Sequence, residues 1–176
     1  HEDPRRQRQM CIRDSFKAGR CGLLVEWGDP GPLQLDDDAT AIKGKLYAIS
    51  ALGSREVLNR ATGELVPVNN VNAPHAIDGI NYAPFAAFGG WAGAVNKGAD
   101  QKTKDAAYAF LSYMNQSAQS SVDVTIGATG YNPYRLSQLS SPDLFVKAGM
   151  PQALAENYIG AINGALNSLN MASDMK

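Results

Sequence analysis

The stretch from residue 88 to residue 116 constrains the fold more than any other part of the chain. It opens on a glycine pair, Gly89-Gly90, and runs through Trp91 to Val95 as an apolar segment of strand length. Asn96 to Asp100 then turns the chain into the best helical pattern present, over 101–116. Ala106, Ala107, Phe110, Leu111 and Met114 form one apolar stripe there, with Lys102, Lys104, Asp105 and Ser112 elsewhere. Asp100 has the short acceptor side chain that an N-cap needs.

The same two periods recur. Phe16 to Trp27 reads as a helix end, stopped by Gly19, and then a buried strand over Cys21–Val25. Gly28 to Pro32 ends it, because two prolines and two glycines cannot continue a ladder. Lys45–Leu52 reads as a second strand. Residues 56–60 and 64–68, joined through Gly63, read as a hairpin. Residues 69–84 are rich in Asn, Gly and Pro and read as a long loop, a length that marks function or insertion. Helices are expected over 117–126, from Ser141-Pro142 onward, and over 151–169. The last carries Leu154, Tyr158, Ala161, Ile162, Ala165, Leu166 and Leu169 on one face. Its Gly160-X-X-X-Gly164 spacing suggests close helix packing.

Several classes of function lack their signatures. A net charge of −1 makes no electrostatic case for nucleic acid or an anionic membrane. No apolar run is long enough to span a bilayer. The signatures of α/β-hydrolase serines, zincins and P-loops are missing. His75 is the one imidazole with any case for catalysis, and it sits in the 69–84 loop. Asp36 to Asp38 lack the glycine and distal Glu of an EF-hand loop and read as an exposed acidic run. Cys11 and Cys21 show no metal or redox spacing. No cofactor or metal is called for.

The remaining constellation points to ligand binding. Trp27 and Trp91 each stand beside a strand-like segment and a glycine-rich turn. An indole stacks on the apolar C–H face of a sugar ring, while carboxylates and bare backbone amides bond to its hydroxyls. Glycine lets backbone approach a ligand closely. Trp27 with Asp29, and Trp91 with Gly89 and Gly90, would supply both kinds of contact. Packing at the edge of a core is the alternative role for both indoles.

In order and spacing these segments resemble family 1 extracellular solute-binding proteins over about residues 16–169. Phe16 to Trp27 is similar to the family segment that carries a ligand-stacking aromatic, with Trp27 in that place and Glu26 where proline usually stands. Tyr47 to Gly53 is similar to a family strand, without its usual proline. Phe88 to Lys97 followed by Lys104 to Met114 resembles the glycine-pair strand and its helix. Gln119 and the Gly130-Tyr-Asn-Pro-Tyr-Arg135 turn continue the pattern. The hairpin and the 69–84 loop are longer than the family's connection.

The resemblance implies a periplasmic-binding-protein-like α/β fold of two lobes around a hinged cleft, with the C-terminal part present here over 16–176. It also implies a sugar or polyol ligand, delivery to the permease subunits of an ABC-type importer, and a periplasmic or otherwise extracytoplasmic monomer without enzymatic activity. The candidate ligand-binding residues are Glu26, Trp27, Asp29, Gly89, Gly90, Trp91, Tyr131 and Arg135. Residues 1–15 are basic and aperiodic, and Arg8 to Ser15 resembles translated adapter sequence, so this segment is expected to be non-native. An enzyme with catalytic residues on a missing N-terminal half, and a structural or adhesion module with core tryptophans, are the alternatives from other classes.

Overall fold

A computed structural model describes residues 14–28, 30–35, 41–86 and 92–173. The described residues fall into two compact units, one within 14–48 and 92–159 and the other within 49–86 and 160–173.

The first unit is helical. A turn of helix at residues 14–17 (α1) ends at Gly19, whose φ of +70° lets two terminal bonds form, Arg20 N–H to the Ser15 carbonyl and Gly19 N–H to that of Phe16. The proline-rich segment expected to be a plain turn is instead the short buried helix α2, Pro30–Leu33. Prolines suit a first turn because they lack the N–H that would go unpaired there. Then come α3 (Gln101–Met114), α4 (Ser117–Asp123), a 3₁₀ turn (Gly127–Thr129), α5 (Leu136–Leu139), α6 (Asp143–Lys147) and the long helix α7 (Gln152–Leu166), of which the residues up to Ile159 belong to this unit. Asp100 caps α3 as expected, accepting from the Thr103 N–H at 3.0 Å and the Thr103 hydroxyl at 2.7 Å.

The core of this unit gathers around the first half of α7. Leu154, Ala155, Tyr158 and Ile159 are buried together with Phe145, Met150 and Val124. The Phe145 and Tyr158 rings meet edge to face, with centroids 5.1 Å apart. Gly31 lies against the Tyr158 ring so closely that a Cβ there would stand 2.3 Å from Cε2, which explains glycine within the buried α2.

The second unit holds every strand among the described residues. β1 (Glu56–Asn59) pairs antiparallel with β2 (Glu64–Pro67), from Glu56 opposite Pro67 to Asn59 opposite Glu64. This is the expected hairpin, and Gly63 closes its turn at φ +75°. β3 (Phe85–Ala86) and β4 (Ala172–Ser173) form a short parallel pair. The 69–84 stretch is a loop, held by its own polar groups. Asn69 Oδ1 accepts from the Val71 and Asn72 amides, and Asn72 Nδ2 donates to the Pro67 carbonyl at 2.9 Å. Asp78 and Gly79, both at positive φ, make a tight turn between Ile77 and Ile80, which exchange two backbone bonds of 2.9 Å.

Four expectations need correction. Cys21–Val25 is not a buried strand: it is irregular, and Val25 is 88% exposed. Lys45–Leu52 likewise enters no ladder, leaving Tyr47, Ile49 and Leu52 exposed. An apolar run becomes a strand only when another backbone lies beside it, and among the described residues neither has such a neighbour. Residues 92–95, the described part of the expected third strand, are also irregular, and 88–91 lie outside the described residues. Finally, Gly160 makes no close approach, since a Cβ there meets nothing within 4 Å. Three helices are shorter than their patterns, α3 stopping at Met114, α4 at Asp123 and α7 at Leu166.

Candidate ligand-binding site

Trp27 lies on the irregular segment just ahead of α2, with 48% of its surface exposed. Its amide donates to the Glu26 carboxylate at 3.3 Å, a local bond that holds that side chain beside the indole's backbone. The segment is anchored at its C-terminal end. There α2 is buried and packs against the Gly127–Thr129 turn, and Gly130, at φ +68°, leads directly into Tyr131. The stretches bearing Trp27 and Tyr131 thus leave from two elements that pack on each other. Tyr131 and Tyr134 are both exposed, as an aromatic platform must be. Asp29, Gly89, Gly90 and Trp91 lie outside the described residues.

Arg135 is committed to the fold. Its Nε donates to the Ser120 hydroxyl at 3.1 Å, and Nη2 donates to the Asn115 carbonyl at the end of α3. The guanidinium carbon also stands 5.6 Å from the centre of the Tyr134 ring. Gln138 completes the arrangement from the interior. Its Oε1 accepts from the Tyr134 and Arg135 amides at 3.0 and 3.1 Å, and its Nε2 donates to Ser120 at 3.3 Å. This is the reach-back contact that starts a helix cleanly, here for α5.

A second chain of polar contacts runs along α4. The Tyr113 hydroxyl donates to Gln119 at 2.7 Å, and Gln119 Nε2 donates to Asp123 at 2.8 Å. The Thr129 hydroxyl reaches the Asp123 carbonyl at 2.8 Å, tying the Gly127–Thr129 turn to α4. Ser120 and Gln138 gave no sign in the sequence, being ordinary polar residues in short helical patterns. Gln34 was equally inconspicuous. It is buried, donates to the Gly31 carbonyl at 3.2 Å, and its Oε1 has no hydrogen-bond partner among the described residues. A buried acceptor in that state costs stability until something donates to it.

His75 is exposed in its loop, with no catalytic partner among the described residues, and Asp36 to Asp38 lie outside them. Among the described residues no three His, Cys, Asp or Glu side chains gather as a metal site would require. No helix among them is long and apolar enough to cross a membrane. No protein-family model, curated protein or solved structure matches the chain.

Proposed function

We propose that this chain carries the ligand-contacting surface of an extracytoplasmic solute receptor, which captures a sugar or polyol for the permease subunits of an ABC-type importer. The observation that carries the proposal is the packing of α2 on the Gly127–Thr129 turn. It sets half-exposed Trp27 and exposed Tyr131 on stretches leaving a common anchor. In this reading Trp27 stacks on the sugar ring, Glu26 and Asp29 accept from hydroxyls, and Gly89, Gly90 and Trp91 complete the contacts. Arg135 supports the surface by holding the turn that bears Tyr131 and Tyr134, rather than by touching solute.

The fold in this reading is α/β with two lobes. The receptor acts as a monomer, without chemistry and without a cofactor. Calorimetric titration with a panel of neutral hexoses, disaccharides and polyols tests it. At least one should give saturable heat, weakened about tenfold or more in Trp27→Ala, since that variant removes a stacking surface. Heat with none of them, or unchanged affinity in Trp27→Ala, refutes the reading.

A further inference from the structure

The inner face of α4 is polar. Its buried residues are Ser120 and Asp123, one helical turn apart. The Ser120 hydroxyl is fully used: it accepts from Arg135 Nε at 3.1 Å and Gln138 Nε2 at 3.3 Å, and donates to the Ser117 carbonyl at 3.2 Å. Asp123 is served far less well. It is only 9% exposed, yet one side-chain donor reaches its carboxylate, Gln119 Nε2 on Oδ1 at 2.8 Å. Among the described residues no cation forms an ion pair with it, although Arg135 reaches Ser120 one turn earlier.

A carboxylate has about four acceptor directions, so one amide leaves most of them open. Taking such a group out of water is costly unless other donors replace the water. Among the described residues the fully buried side-chain acceptors without a partner include Gln34 Oε1 but not Oδ2 of Asp123, so that oxygen still meets solvent. The single donor is itself held. The Tyr113 hydroxyl donates to Gln119 Oε1 at 2.7 Å, which fixes the amide with its Nε2 toward Asp123. A relay from α3 to α4 thus aims the carboxylate without cancelling its charge.

Asp123 also adjoins the candidate binding surface. The Thr129 hydroxyl, its proton shared between the Asp123 and Ile126 carbonyls at 2.8 Å each, accepts from the Tyr131 amide at 3.3 Å. One hydroxyl therefore links the backbone of Asp123 to that of Tyr131.

We propose that Asp123 is a specificity residue of this surface: its open oxygen accepts from a hydroxyl of the solute lying on Tyr131, and its unpaired charge turns acidic sugars away. The inference rests on the receptor reading and narrows its ligand to neutral sugars and polyols. A hydroxyl can donate to the carboxylate. A uronate instead brings a second negative charge to a group that no cation pairs, and like charges so placed repel strongly. Tyr113 and Gln119 are positioning residues that act through Asp123.

Calorimetric titration of the full chain tests this with neutral solutes, each beside its acid. The pairs are D-glucose and D-glucuronate, D-galactose and D-galacturonate, D-mannose and D-mannuronate, maltose and maltobionate, and sorbitol and D-gluconate. At least one neutral member should bind, about tenfold or more tightly than its acid. Asp123→Asn keeps an acceptor for Gln119 and removes the charge. It should weaken the neutral solute by about tenfold and narrow the preference over the acid to less than about threefold. Tyr113→Phe, at an exposed position, should weaken the neutral solute by about threefold and keep the preference, because the charge remains. It decides the matter alone if Asp123→Asn does not fold, and unchanged affinity then overturns the proposal. Heat with no member overturns the receptor reading and the role of Asp123 together. Binding that Asp123→Asn leaves unchanged overturns the role of Asp123 and leaves the receptor reading standing. Equal binding of acid and neutral solute by the parent, or equal weakening of both by Asp123→Asn, also overturns the role of Asp123.

Discussion

The side-chain amide of Asn157 takes both backbone hydrogen bonds of Ala48, accepting from its N–H at 2.7 Å and donating to its carbonyl at 3.0 Å. A neighbouring β-strand would present the same donor and acceptor. One side chain on α7 thus stands in for a strand beside a segment that has a strand's sequence. Removing it strands two backbone groups in a part-buried place. Asn157→Ala should cost about 1–3 kcal/mol, read as a lower denaturation midpoint in urea with the slope unchanged. Asn157→Asp keeps the acceptor but sets a carboxylate toward the Ala48 carbonyl, so it should recover little of that loss at neutral pH.

Gly31 and Gly160 should respond in opposite directions to the same substitution. At Gly31 the new methyl group runs into the Tyr158 ring, and overpacking of this kind costs about 1–3 kcal/mol. At Gly160 it enters open space within a helix, and should add about 0.5–1 kcal/mol. Thermal unfolding of the two alanine variants beside the parent chain checks both signs at once.

Arg135 separates a supporting role from a contact role. Arg135→Ala removes donors from buried Ser120 and from the Asn115 carbonyl, and should destabilise by about 1–3 kcal/mol even without ligand. Arg135→Lys should restore only part of this, because an ammonium lacks the planar fork that reaches both acceptors. Full stability of Arg135→Ala in urea unfolding would show that the polar network does not hold this region.

The Asp100 cap has a pH signature. The hydroxyl and amide of Thr103 both donate to its carboxylate and hold its pKa below the ordinary carboxylate value. A pKa lowered by folding stabilises the protein where the carboxylate is charged in both states, and that contribution disappears as pH falls through the lowered value. Asp100→Asn caps the helix without titrating. The thermal midpoint of the parent should therefore lose ground to Asp100→Asn on acidification from neutral pH, with no gap opening between pH 6 and 8, roughly the range where neither state titrates.

What the sequence made legible was local. Asp100 and the helix behind it, the hairpin turning at Gly63 and the stop at Gly19 depend on contacts within a few residues, and all appear as expected. The apolar runs at Cys21–Val25 and Lys45–Leu52 needed something else, a backbone to pair with, and their own residues carry no information about one. The stripe on α3 shows the same limit: its period produces a helix, yet no residue of α3 is buried and Phe110 is 62% exposed. Of the candidate site, Trp27 stood out as an indole beside a glycine-rich turn, while Tyr131 stood out only through the resemblance of its turn, and the exposure of neither was written in the sequence. Arg135 was not legible as a structural residue, because its partners Ser120 and Asn115 lie 15 and 20 positions away.

Trp27 can be observed alone by its fluorescence. The chain has two tryptophans, so Trp91→Phe leaves Trp27 as the sole indole emitter. With half its surface in solvent, Trp27 should emit at long wavelength, and titration with the sugar or polyol that binds should shift that emission to shorter wavelength along a saturable curve. An emission that does not move for any sugar or polyol, at concentrations where calorimetry records binding, would contradict the placement of Trp27 against the ligand.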